Sequence, residues 1–290
     1  MKFSLGTAQL SNNYGVLKKK VKPKKIFNFI NNDKTIDLID TAPAYCGAEK
    51  IIGKYLERKI KIITKISPFK YISTEKNLDK LKRDFENSLK NLKRDSIYGL
   101  LFHDEKNIKY LKNDKFYSYL VELQKYKLVE KIGFSSYQVD EIENYFHFFR
   151  FNIVQLPINI FNLNKKYINK LKFFKKKYNI EIHARSLFLQ GLGLANQIQN
   201  KKFSKLNQKL NIIKKISSKY NIQKEDILIS AVSRHRFIEK IIVGCSSIND
   251  LMILKKFKNK QIDDKYFQKL IIRDQFITDP RKWPKKLKVF

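Results

Sequence analysis

The chain has 290 residues, 43 % of them hydrophobic, which is enough to bury one large core. Two cysteines, Cys46 and Cys245, are too few for a disulfide framework or a cysteine-based metal site, so no metal is expected; no apolar run approaches the ~20 residues of a membrane span. The formal charge of +34 invites a nucleic-acid reading, but lysine is spread through the chain alongside Asn and Ile, which share AT-rich codons with it. The excess therefore reads as solvated surface, and no specific nucleic-acid partner is expected.

Residues 3–9 read as a strand and 23–31, opened by Pro23, as a helix. A β-branched, apolar strand over 35–40 ends on Asp40, and beyond the loop carrying Tyr45 an amphipathic helix covers 48–58. Strand 61–65 ends on Lys65, and a long helix over 74–92 carries Leu78, Leu81, Phe85, Leu89 and Leu92 at helical spacing. Strand 97–103 ends on His103 and precedes a helix near 116–126; strand 131–134 precedes one near 139–148, and strand 153–156 one near 165–178. Strand 181–186 leads to helices over 203–220 and 224–235, and strand 240–243 leads to helix 248–257.

About eight strand-then-helix units, with no linker or composition break, predict a single-domain (β/α)8 TIM barrel over residues 1–290. An open doubly wound sheet would usually carry a glycine-rich phosphate loop after its first strand; here only Gly6-Thr7-Ala8-Gln9 follows, and no G-x-G-x-x-G occurs. Parallel barrels place their chemistry at the C-terminal ends of the strands. Asp40, Lys65, His103, Ser135, Gln155, Arg185 and Gly244 all fall at or just beyond such ends. Singly, each has a bland reading as a turn residue, a packing aromatic or a surface lysine. Together they gather a carboxylate, an ammonium and an imidazole near a phenol, the groups needed where negative charge builds on a reacting oxygen.

The pieces that carry these residues are Leu5-Gly6-Thr7-Ala8, Ile39-Asp40-Thr41-Ala42-Pro43-Ala44-Tyr45, Thr64-Lys65, Phe102-His103-Asp104, Gly133-Phe134-Ser135-Ser136, Val154-Gln155-Leu156-Pro157-Ile158-Asn159 and Val243-Gly244-Cys245-Ser246. In this order, over nearly the whole chain, they resemble the aldo-keto reductases. The resemblance implies a barrel that binds a nicotinamide cofactor without a Rossmann fold. It also implies NAD(P)H-dependent reduction of a small aldehyde or ketone to an alcohol, with sugars and sugar derivatives among the candidate substrates. Tyr45 would be the proton donor, Lys65 the cation that lowers its pKa, Asp40 the anchor of Lys65, and His103 the hydrogen-bonding partner of the substrate oxygen.

The same resemblance places Gly6, Thr7, Asp40, Ser135, Ser136, Gln155, Arg185, Ser186, Gly244, Ser246 and Asn249 around the cofactor. Ser136 stands where the family often has Asn, and Arg185 where many members stack an aromatic on the nicotinamide. NADP(H) is the family default. Gly244, Cys245 and Asp250 stand where NADP-preferring members commonly have a Lys-Ser pair and an Arg, which leaves NAD(H) as the alternative. A non-catalytic nicotinamide-binding or regulatory subunit is the alternative function. Residues 9–20 and 69–74 would wall the pocket, and the tail over about 275–290, with the only tryptophan, Trp283, would close the site or plug the barrel's side. Met1-Lys2-Phe3-Ser4-Leu5-Gly6 lacks the apolar core of a signal peptide, so a cytoplasmic location and no membrane partner are expected.

Overall fold

The computed structural model describes residues 2–11, 21–69 and 73–283. Most of the expected wall at 12–20 and 70–72, and the tail beyond Trp283, lie outside the described residues. Eight parallel strands close on themselves in sequence order: β1 (Lys2–Gly6), β2 (Ile36–Asp40), β3 (Lys61–Ile66), β4 (Ile97–Phe102), β5 (Val129–Ser135), β6 (Ile153–Pro157), β7 (Glu181–Arg185) and β8 (Lys240–Gly244), with β8 pairing back onto β1. Around them run α1 (Pro23–Asn32), α2 (Ala48–Tyr55), α3 (Thr74–Leu92), α4 (Asp114–Lys125), α5 (Ile142–Tyr145), α6 (Lys165–Tyr178), α7 (Ser204–Tyr220), α8 (Lys224–Ser233) and α9 (Ile248–Lys256). This is the single-domain (β/α)8 barrel that the strand-helix alternation predicts.

The period of two along a strand decides where the site stands. Leu38, Ile63, Leu101 and Ile153 form, with Tyr98, a buried cluster separate from the one that joins sheet to helices, and so fill the barrel's interior. Two residues further along the same faces stand Asp40, Lys65, His103 and Gln155. The interior layer thus becomes the floor of the site. Gly133 keeps that floor tight: a Cβ there would lie 2.2 Å from the Ile153 carbonyl oxygen on the neighbouring strand. At the opposite end the Tyr98 hydroxyl and the Lys131 ammonium both donate to Glu181, which also meets His183 at 3.0 Å. Those bonds hold the Glu181 carboxyl well below the usual range against the opposing effect of burial.

Several boundaries differ from the sequence reading. The first strand ends at Gly6 because residues Ala8–Ser11 wind into a 3-10 turn, with Leu10 N–H donating to the Thr7 carbonyl. The helix expected over 139–148 is a 3-10 turn, Val139–Glu141, followed by the single turn of α5. There the aromatic packing overrides helical periodicity: Phe134, Tyr145, Phe146 and Phe151 pack edge to face, and Phe146 stacks on Tyr178 at 3.8 Å. Two helices not anticipated, α10 (Asp264–Leu270) and α11 (Gln275–Thr278), follow the barrel. Trp283 packs edge-on against Phe203 and donates to the Phe276 carbonyl at 2.9 Å, so its ring belongs to the second core cluster on the barrel's flank.

Candidate active site

Asp40 ends β2 with its side chain almost fully buried, and both carboxylate oxygens are used. Oδ1 accepts from Lys65 Nζ at 2.7 Å and Oδ2 from Gln155 Nε2 at 2.7 Å. Lys65 Nζ also donates to the Thr41 carbonyl at 2.9 Å, and the Thr7 hydroxyl donates to the Asp40 carbonyl at 3.0 Å. A carboxylate only accepts, so this contact fixes the amide of Gln155 with nitrogen toward Asp40 and oxygen away from it. The ends of β1, β2, β3 and β6 are thereby tied at one point. A buried ammonium and carboxylate hold only when paired in this way.

Tyr45 sits on the loop after β2, where a turn from Ala42 to Tyr45 leads into Gly47 at φ +74°, a left-handed conformation suited to glycine that starts α2. That turn carries the phenol back over the strand ends. Its ring meets His103 edge to face, centroids 5.9 Å apart and planes at 88°, and Lys65 Nζ lies 5.4 Å from its centroid. The four candidate catalytic residues thus form one chain of contacts, Asp40 to Lys65 to Tyr45 to His103.

The electrostatics revise one expectation. Burial, then the Asp40 charge, pushes the Tyr45 hydroxyl well above its ordinary value, and the cation that opposes them is Arg185. Lys65 is neutralised by Asp40 at 2.7 Å and reaches the tyrosine through its ring. Burial and then the Lys65 charge hold His103 down at about 4, so the imidazole is neutral near pH 7 and able to donate one hydrogen bond.

The sign of the resulting pH dependence follows. Above the unfolded value of about 6.5 both states hold a neutral ring; as pH falls toward 4 the unfolded chain takes up a proton that the fold refuses, and stability drops. His103→Gln removes this term, and the unfolding free energy from urea titrations is expected to fall less between pH 7 and 4.5 for the variant than for the wild type, by on the order of 2 kcal/mol. An equal fall in both proteins would refute it.

A cavity of about 230 Å³ opens beside these residues, lined by Gly6, Thr7, Asp40, Tyr45, Gln155, Arg185, Ser186, Gly244 and Ser246 among others. Ser135 does not line it but supports Arg185, which does, its hydroxyl accepting from Arg185 Nε at 3.1 Å. Two assignments fare differently. The Ser136 hydroxyl is engaged in a local turn, accepting from Gln138 N–H at 2.9 Å, while its carbonyl accepts from Arg185. Asn249 is exposed on the first turn of α9 and does not line the cavity.

Gln9, at the start of the wall expected over 9–20, does line the cavity, whereas Gln190 and Glu225 line it without any sequence signal. Asp250 lines the same end, and its carboxylate accepts from Ser246 N–H at 2.7 Å, the Ser246 hydroxyl at 3.0 Å and Ser247 N–H at 3.1 Å. Ser247 Oγ accepts in return from Asp250 N–H, which completes a capping box. Serine followed three residues later by an acid was the available signal.

The barrel has parallels among known structures. No curated protein sequence matches the chain. The barrel is similar to a glycerol dehydrogenase from Gluconobacter oxydans (TM-score 0.69, 18 % identity, covering 99 % of this chain and 94 % of that one). It is also similar to an aldo-keto reductase from Bacillus halodurans in its holo form (TM-score 0.69, 16 % identity, 93 % and 90 % covered). A variant of Gox0644 in complex with NADPH gives a TM-score of 0.65 at 18 % identity, with 94 % and 90 % covered. At such identities the likeness speaks for the fold. The sequence model of the Aldo/keto reductase family matches residues 2–271, nearly the whole chain, and the protein therefore belongs to that family of oxidoreductases.

Proposed function

We propose that the protein reduces an aldehyde or ketone with NAD(P)H, with Tyr45 as the proton donor. When bound, the reduced nicotinamide supplies the hydride to the carbonyl carbon. Tyr45 gives its hydroxyl proton to the carbonyl oxygen, so that carbonyl, NAD(P)H and one proton become alcohol and NAD(P)+. The observation that carries this reading is the buried Asp40–Lys65–Gln155 group beside the Tyr45–His103 pair at one cavity. His103, neutral, donates to the substrate oxygen as charge develops there, and Asp40 holds Lys65 against the phenol ring.

The lining fits a nucleotide. Gly6, Thr7 and Gln155 edge the end near Tyr45, and Ser186, Gly244 and Ser246 continue the cleft. Gln9 Oε1, in the same lining, is buried without a hydrogen-bond partner among the described residues. NADP(H) is the first choice, supported by the NADPH complex of the Gox0644 variant, with NAD(H) as the alternative. We place Ser135 and Gln155 near the carboxamide.

Sugar aldehydes and hydroxyketones head the substrate panel. The test follows loss of reduced-nicotinamide absorbance with each carbonyl compound. Turnover with at least one is expected; saturable cofactor binding with no turnover on any would favour the binding-subunit alternative.

A further inference from the structure

Among the described residues Arg185 is the one basic residue in the cavity lining, which also holds Asp40, Glu225 and Asp250, in a chain whose formal charge is +34. Its guanidinium is held in an unusual way. Each of its three nitrogens makes a hydrogen bond at its edge: Nε to the Ser135 hydroxyl at 3.1 Å, Nη2 to the Ser136 carbonyl at 3.1 Å, and Nη1 to the Ser186 hydroxyl at 3.5 Å. One face is covered by Tyr137, whose ring centroid lies 4.0 Å from Cζ. On the far face of Tyr137 lies Arg281, with Cζ at 3.7 Å. Arg281 is neutralised by Asp279 at 2.8 Å and faces Glu105 at 3.7 Å. Arg185 has no carboxylate within 4.0 Å among the described residues.

With three of its five N–H groups bonded and one face covered, the surface left for the cavity is the other face of the guanidinium and what remains of its edge. Guanidinium donors lie in the plane, so a bare face accepts a flat π system better than it accepts an anion. Tyr45 lines the same cavity, so a ring that passes hydride to a carbonyl held by Tyr45 comes within reach of Arg185.

We infer that Arg185 is a specificity-determining residue that makes the site prefer the reduced over the oxidised nicotinamide, and so biases the enzyme toward carbonyl reduction. The inference rests on the proposed function and deepens it. Dihydronicotinamide is neutral, and after hydride loss the ring is a cation. A fixed, unpaired guanidinium tolerates the first and repels the second, since two like charges near 4 Å in a half-buried site interact strongly. The Tyr137 and Arg281 layers keep the plane from turning away. The oxidised product is then expelled, and the reverse reaction starts from a weakly bound cofactor.

The test is a pair of binding titrations, without substrate, of reduced and oxidised NADP and of reduced and oxidised NAD on the full chain, followed by calorimetry. The wild type is expected to bind the reduced form of at least one nucleotide at least about tenfold more tightly than its oxidised form. Arg185→Gln should bring that ratio within about threefold, whereas Arg185→Lys, which keeps the charge, should stay near the wild-type ratio. A wild-type ratio near one overturns the inference outright. A ratio that Arg185→Gln leaves unchanged, with a raised KM confined to carboxylate-bearing carbonyl substrates, also overturns it and makes Arg185 an anion site for substrate. Binding of neither nucleotide to folded wild-type protein overturns the functional reading beneath it.

Discussion

Tyr45→Phe is expected to lower kcat by at least ~10²-fold, the scale of general acid catalysis, while cofactor affinity stays close to that of the wild type. The split follows from where the hydroxyl sits. The ring makes the edge-to-face contact with His103 and lies under Lys65, contacts that phenylalanine keeps, so the lost atom is the proton donor alone. Burial holds that hydroxyl above its ordinary pKa, so it stays protonated and ready to donate through neutral pH. Single-turnover kinetics with a saturating reduced cofactor separate chemistry from release. A variant that retains the wild-type rate would remove Tyr45 from the reaction.

Lys65→Met should have the largest effect on stability of any substitution in the site. It leaves the Asp40 carboxylate buried with only Gln155 as a side-chain donor, and breaking a buried pair from one side costs about 3–5 kcal/mol. The double variant with Asp40→Asn removes both charges and should recover part of that loss. Urea midpoints of the wild type, both single variants and the double variant close the cycle. If Lys65→Met costs under about 1 kcal/mol, or the double variant recovers nothing, the pair does not organise the strand ends as described. Turnover should fall along with stability in the single variant, because Asp40, freed of Lys65, no longer holds Gln155 in one orientation.

Much of the architecture was legible because strand and helix impose different periods on apolar residues, and eight such changes of period leave few folds available. The site was legible for the same reason. Asp40, Lys65, His103 and Gln155 are polar residues at the last inward positions of otherwise apolar strands, a place where an unpaired polar group is expensive. What stayed hidden lies in contacts between distant segments. Tyr137 between Arg185 and Arg281 joins residues 48 and 144 positions apart, and neither spacing leaves a periodic trace. The shortness of α5 came from aromatic packing against α6. Sequence pairs Lys65 with Asp40 and with the phenol but does not show how its charge divides between them, which only the 2.7 Å contact to Asp40 makes visible.

The Ser246, Ser247 and Asp250 box has a consequence for how the far end of the cavity meets anything that enters it. The N–H groups of Ser246 and Ser247, just ahead of α9, are satisfied by the protein's own Asp250 carboxylate, so this helix start is built before a guest arrives. Little chain entropy is then lost on filling that end, and association there is a lock's encounter with its key. A guest carrying an anion meets the Asp250 carboxylate bonded to the loop before the helix and must either displace it or be met by other groups. Selectivity at that end is therefore a competition between the guest and a resident side chain.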